Sequence, residues 1–311
     1  TEEARAEAEI LMEVQTQLIS LRYGLSIIGC TQDAISGNYV LTRDNSIKRE
    51  KAIDLLSAVG ITDFSKLPRK AIVTGKEVFS VLLPDDFNYS GHSRSCDRSK
   101  DKCDKDTHVI IEDGKLISGF MDKNSLGEES GLMLRNIHKK YGKDYSIDSL
   151  GKIFRLGIEC LFRTGLTSAL SDTDLPESAK LKIREDLDAA KKAVNSLIMQ
   201  FEEGKLEAFP GKTMQETLEL RILEVLNKAR NETGRTVADY ADKRSHTMIM
   251  AESGARGNLL NLAQMAACVG QQAMRGKRIE KGFEQRTLSH FKKGDLSPGA
   301  HGFISNGFKT S

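Results

Sequence analysis

The sequence predicts an α+β protein: a mixed segment with small β elements, followed by a mainly helical segment built on a long antiparallel helical hairpin. Three observations carry that prediction. Short apolar runs alternate with turn signals over residues 21–125. Beyond about residue 130 the apolar spacing becomes helical. Two long amphipathic runs within 176–232 are joined by a loop that holds Gly204, Pro210 and Gly211.

Each element has its local reason. Residues 1–20 read as a helix: Thr1 can cap it, Glu2 and Glu3 suit its positive end, and Ile10, Leu11, Val14 and Leu18 form a stripe. Val109–Ile111 and Leu116–Phe120 flank an Asp113-Gly114 turn, a β-hairpin signature. Residues 88–107 are polar and lack periodicity, which predicts an exposed loop. An amphipathic segment covers 146–168. Pro176 opens the first hairpin helix and Gly204 ends it. Its stripe is Ala179, Ile183, Leu187, Ala190, Val194, Leu197 and Phe201, at gaps of three and four, so all lie on one face. Thr213 and Glu216 form a capping box for the second helix, whose stripe is Met214, Leu218, Ile222, Val225, Leu226 and Ala229, with Gly234 after its end. Packing alone accounts for both stripes. A Gly-rich turn, 253–258, then leads into an apolar helix, 258–274, and a Gly/Ser/Pro-rich loop follows at 294–307.

Composition excludes several classes. The chain has 311 residues, 29% charged and 39% hydrophobic, which fits a globular protein and not a disordered one. The net charge is only +2, so the whole is neither a polybasic coat nor an acidic tail. There is no Trp, and no apolar run is long enough to span a bilayer, so no membrane is expected. The opening residues lack the pattern of a signal peptide, and both ends look cut from something longer. Five Cys without framework spacing point to a reducing compartment. Charge is uneven, however. From Arg235 onward there are 12 basic and 6 acidic residues, which suggests either a nearby polyanion or a solvated face.

Three constellations could carry chemistry. Ser253-Gly254-Ala255-Arg256-Gly257 has two glycines that let backbone approach a ligand, and a guanidinium suited to phosphate. It matches no standard phosphate-loop motif, and an ordinary helix-entry turn is the alternative. Asn261, Gln264, Gln271 and Gln272 put amides into an apolar helix, as either a lined channel or a core network. His92, Cys96, Cys103 and His108 are four soft groups that could hold zinc, but their spacing fits no compact knuckle. GxSxG, HExxH and EF-hand patterns are absent, and no self-contained active site is visible.

Several strings, taken in order, have a family likeness. They are TEEARAEA (1–8), QDAISGNY (32–39), SGARGN (253–258), NLAQMAACVGQQ (261–272), Gly276-Lys277-Arg278-Ile279, RTLSHF (286–291), Ser297-Pro298 and Gly302-Phe303. Together they resemble the largest subunit of multisubunit DNA-directed RNA polymerase, closest to its archaeal A-prime form. Ser289 stands where that family carries Pro.

The resemblance implies a pore domain at 1–172 and a funnel domain at 173–311, with the hairpin at 176–232 and a channel-lining helix at 258–274. These would surround the secondary channel, through which nucleoside triphosphates enter and the backtracked RNA 3′ end leaves. It implies that Arg256, Asn261, Gln264, Gln271, Gln272, Lys277 and Arg278 line that path. The nucleotidyltransferase would use Mg2+ held by aspartates preceding Thr1, so this segment would not ligate it, would contain no catalytic residue and would not act alone; zinc at the 92–108 loop stays open. The implied partners are the second-largest subunit, the rest of the largest subunit, DNA through the complex, and a transcript cleavage factor. The implied location is cytoplasmic, at the nucleoid. The competing expectation is a helical scaffold or partner-binding module without a nucleotide role.

Overall fold

The computed structural model describes residues 1–94, 96 and 107–309 and, of Asp44, the backbone alone. The chain forms two compact units: Thr1–Thr167 with Ile249–Gly257, and Ser168–Met248 with Asn258–Ser311. These are compact bodies of chain, and the pore and funnel bounds at 172/173 stay an expectation. The chain returns to the first unit at 249–257 because Ala255 packs on that unit's core and Glu252 bonds there to Tyr39 and Arg43.

The first unit is mixed, as expected. Helix α1 (Glu2–Leu11) opens at Thr1, whose hydroxyl accepts from the Ala4 N–H at 3.3 Å. It is shorter than the expected 1–20 helix, because Glu13 turns extended (ψ 130°) and only a 3-10 turn, Val14–Gln17, follows. None of the residues of α1 is buried; of the predicted stripe only Leu18 reaches the core. Then come α2 (Gln32–Asp44), β1 (Ser46–Lys48), α3 (Arg49–Ala58), β2 (Ile72–Thr74) and α4 (Gly75–Ser80). Strands β1 and β2 pair antiparallel, and Thr74 with Glu77 forms a capping box on α4.

Strands β3 (Tyr89–His92), β4 (His108–Glu112) and β5 (Lys115–Ser118) form an antiparallel sheet in that order. The β4–β5 turn has positive φ at Asp113 (46°) and Gly114 (69°), the geometry an Asp-Gly hairpin turn favours. Strand β3 lies inside the stretch expected to be loop. Its alternation lasts only four residues, with Tyr89 and Gly91 inward, too short to register as a period. Helices α5 (Lys123–Leu126), α6 (Leu132–Tyr141) and α7 (Lys143–Thr164) complete the unit.

The core of this unit is centred on α2 against α7. Ile35 and Leu41 of α2 and Ile153 and Leu156 of α7 belong to one buried cluster, with Phe79 and Leu56 in it. The two helices cross at a pair of glycines. A Cβ built on Gly37 would lie 1.9 Å from the Gly157 carbonyl oxygen. Beside the crossing, the Asn38 amide donates to the Ala34 carbonyl (2.8 Å) and to the Ile153 carbonyl of α7 (2.9 Å).

The second unit is built on α8 (Glu177–Glu202) and α9 (Met214–Tyr240), which pack on each other. Most of the predicted stripe is buried: Ala179, Ile183, Leu187, Ala190 and Val194 on α8, and Leu218, Ile222, Leu226 and Ala229 on α9; Leu197, Phe201 and Val225 are half-buried and Met214 is exposed. Thr213 and Glu216 make the predicted capping box, and Gly204 ends α8 at φ 66°. Helix α9 runs past Gly234 to Tyr240, so that glycine is no terminator. A Cβ there would lie 3.6 Å from the Ala263 side chain, an ordinary contact, so the position faces a neighbouring helix.

That neighbour is α11 (Leu259–Ala266), which follows α10 (His246–Ser253). The expected helix to 274 stops at Ala266. Ala267 leaves helical dihedrals (φ −118°, ψ −81°) and Gly270 takes φ 86°. The chain continues as two-residue strands: β6 (Gly270–Gln271) pairs β9 (Phe303–Ile304), and β7 (Ala273–Met274) pairs β8 (Lys277–Arg278).

Candidate functional site

In the first unit the Gly-rich turn begins where α10 ends. Gly254 and Gly257 have φ of 77° and 72°, which L side chains rarely adopt. Buried Ser253 donates through Oγ to the Met250 carbonyl (3.2 Å) and accepts from the Ala255 N–H (3.4 Å), while the Arg256 N–H donates back to Met250 (3.3 Å). These bonds use the local backbone donors and present the Arg256 side chain outward, where it is exposed.

The turn is anchored just upstream. Glu252 Oε2 accepts from the Tyr39 hydroxyl (3.2 Å) and from Arg43 Nη1 (3.4 Å). Burial, the largest influence on Tyr39, keeps that phenol protonated and donating.

Gly254 is also a point of close approach. A Cβ there would sit 2.8 Å from Arg94 Nη1 and 2.9 Å from Lys123 Cβ. Arg94 is exposed and Lys123 half-buried. Thus the Arg94 guanidinium and the stem of Lys123, from two other stretches of chain, meet the turn that carries Arg256. Among the described residues none of the three forms a salt bridge. Sequence reasoning found Arg256 and missed the other two, because only folding brings β3 and α5 to this glycine.

Asp122 holds Arg94 and Lys123 in place. Its carboxylate caps α5, accepting from the Asn124 N–H (3.0 Å) and Ser125 N–H (3.2 Å), and takes the Arg94 N–H at 2.5 Å. Burial pushes its pKa up to about 6 despite those hydrogen bonds. The charged form is therefore the costly one in the fold. The stability that neutral Asp122 contributes is present below its unfolded pKa of about 3.9 and is lost as pH rises through about 6. Asp122→Asn can still cap the helix but cannot titrate. It is expected to remove part of the fall in thermal midpoint between about pH 4 and pH 6. Parallel slopes for mutant and wild type over that window would refute this.

The remaining candidates lie in the second unit and do not form one helical stripe. Asn261 is exposed and Gln264 half-buried on α11, while Gln271 and Gln272 lie beyond its end. Gln271 is buried, its amide donating to the carbonyls of Gln272 (2.7 Å) and His301 (2.8 Å). Gln272 and Lys277 are exposed. Arg278 is the opposite: its side chain is 0% exposed, forked onto Glu219 at 2.8 Å through both Nε and Nη2, with Nη1 donating to the Leu296 carbonyl at 3.3 Å. Arg278 is thus a buried tie between α9 and the C-terminal loops, not an exposed cation.

Of the zinc candidates, the rings of His92 and His108 stack at 4.7 Å and Cys96 Sγ lies 3.7 Å from His92 Nδ1. His108 Nε2 is 2.9 Å from the Ser90 hydroxyl. Cys103 lies outside the described residues. Among the described residues no group of three or more His, Cys, Asp or Glu is arranged to hold a metal ion. Cys30, Cys160 and Cys268 are buried free thiols, and burial raises all three pKa values, to about 12 for Cys30 and about 11 for Cys160, which suits packing and not nucleophilic chemistry. No described helix is long and apolar enough to cross a membrane.

Two family models match the chain in order: RNA polymerase Rpb1, domain 3, over residues 17–173, and RNA polymerase Rpb1, domain 4, over 198–304. The chain belongs to the Rpb1 family, the largest subunit of DNA-directed RNA polymerase. It is similar to the polymerase subunit Rpo1N of several archaea. Identity is 41% to that of Methanothermobacter thermautotrophicus, over 99% of this chain and 36% of the relative. It is 41% to that of Methanocaldococcus jannaschii, over 99% and 24%, and 39% to that of Thermococcus celer, over 100% and 37%. The chain thus spans about a third or less of the length of these relatives.

Proposed function

We propose that this chain forms the wall of the polymerase's secondary channel, the path of nucleoside triphosphates inward and of the backtracked RNA 3′ end outward. Its first unit is the pore part and its second the funnel part. The observation that supports this reading best is the Gly254 turn, where Arg94 lies beside a backbone that carries exposed Arg256 and is pinned by Glu252, Tyr39 and Arg43, neither arginine being in a salt bridge among the described residues. A triphosphate carries several negative charges, and positive walls raise its local concentration and speed its arrival. Arg256 has the forked donors that fit phosphate oxygens. Exposed Asn261, Gln272 and Lys277 would supply further polar lining from the second unit.

In this reading the chemistry of bond formation belongs to Mg2+ and aspartates elsewhere in the subunit. This chain supplies guidance and positioning. The second-largest subunit, the rest of the largest subunit, DNA held by the complex and a cleavage factor that docks on the funnel are its partners, in the cytoplasm. In a reassembled enzyme, Arg256→Ala is expected to slow nucleotide addition about tenfold at limiting triphosphate, with assembly intact. Elongation at the wild-type rate under those conditions would remove Arg256 from the nucleotide path and leave a scaffold role.

A further inference from the structure

We propose that Arg94 is a second phosphate-contacting guanidinium, acting beside Arg256 at the Gly254 turn. This rests on the reading of that turn as part of the nucleotide path.

Four observations lead to it. The Arg94 side chain lies directly over the turn: a Cβ on Gly254 would meet its Nη1 at 2.8 Å and its Cδ at 3.2 Å. Glycine at 254 is therefore what admits the arginine stem. The root of Arg94 is fixed, since its N–H is held by Asp122 at 2.5 Å. Its side chain is exposed and, among the described residues, forms no salt bridge. Finally, Lys123 packs its Cβ on the same glycine, so the stem of a second basic residue borders the turn.

Among the described residues, the two acids nearest the turn are engaged elsewhere. Asp122 is fully buried and its oxygens accept three backbone N–H groups. Glu252 is engaged by Tyr39 and Arg43. A guanidinium laid over a turn that carries a second arginine two residues on favours a polyanion there. A planar fork beside a second fork suits the successive phosphates of a triphosphate or pyrophosphate, each offering paired oxygens. Arg94 touches no reacting atom in this arrangement; it holds the polyphosphate end of the substrate.

The test uses the whole enzyme reassembled with full-length largest subunit carrying Arg94→Gln, Arg94→Met or Arg256→Ala. Half-saturating concentrations are measured for a nucleoside triphosphate in single-nucleotide addition and for inorganic pyrophosphate in the reverse reaction. Arg94→Gln is expected to raise both about fivefold, with a smaller change in maximal rate. A purely structural role would lower maximal rate or assembly and leave the pyrophosphate value unmoved, which would overturn the proposal. If Arg256→Ala raises both values while Arg94→Gln leaves them unchanged, Arg94 is overturned and the reading of the turn survives. If neither variant moves them, the reading itself falls, and this proposal with it. Should Arg94→Gln fail to assemble, Arg94→Met keeps the stem over Gly254 without charge, and the same two values decide.

Discussion

Replacing Glu219 by alanine is expected to cost the second unit about 3 kcal/mol, because it strands a buried guanidinium. Arg278 is fully enclosed, and both of its 2.8 Å ion-pair contacts go to Glu219. Its remaining partner is the Leu296 carbonyl, which satisfies only part of a five-donor fork. The Glu219 side chain is 22% exposed, so water can partly enter once it is gone, which places the loss at the lower end for broken buried pairs. Glu219→Gln, which keeps one acceptor oxygen, should cost less than alanine. Urea denaturation of both variants measures the difference. A loss under about 1 kcal/mol for alanine would mean that the guanidinium finds water or rotates out.

Gly37→Ala is expected to be at least as damaging, on the order of 3 kcal/mol or more, through overpacking at a point with no slack. The added methyl would have to occupy space 1.9 Å from the Gly157 carbonyl, which is backbone and cannot swing aside. Helices α2 and α7 must therefore separate. Separation also breaks the 2.9 Å bond from the Asn38 amide to the Ile153 carbonyl, and Asn38 already has a buried Oδ1 without a partner. Thr42, one turn along, donates to the Asn38 carbonyl at 2.7 Å and accepts the Met121 N–H at 2.9 Å, so the disturbance reaches the end of β5 and the Asp122 cap. Hydrogen exchange along α2 and α7 would show it as lost protection. Unchanged protection in both helices would contradict the crossing described here.

Much of this architecture was legible in local sequence, where one residue type at one spacing had one physical solution. The Thr213 and Glu216 box, the α8 stripe from Ala179 to Val194 and the Asp113-Gly114 turn are of that kind. What stayed hidden depended on distant chain. Gly234 reads as a terminator until Ala263 is found beside it. The 258–274 run reads as one helix because Ala, Cys and Val at 266–269 keep an apolar pattern while the backbone has already turned away. Arg278 passes for a channel-lining cation because nothing within its own stretch announces Glu219. At the candidate site, Arg256 was visible from its motif. Arg94 and Lys123 were not, since their closeness to Gly254 is a product of the β3 and α5 placement.

The return of 249–257 to the first unit has a consequence for the order of events during synthesis. Residues 1–167 emerge from the ribosome before the piece that completes their own unit. The Glu252 carboxylate that Tyr39 and Arg43 bond comes only after residues 168–248 are made, roughly ten seconds at common elongation speeds. During that interval the helices of the second unit already have much of their sequence available to pair. The nascent protein therefore cannot mature strictly from front to back, and a pause or a nick within 168–248 would strand the leading unit in an unfinished state, open to chaperones and proteases.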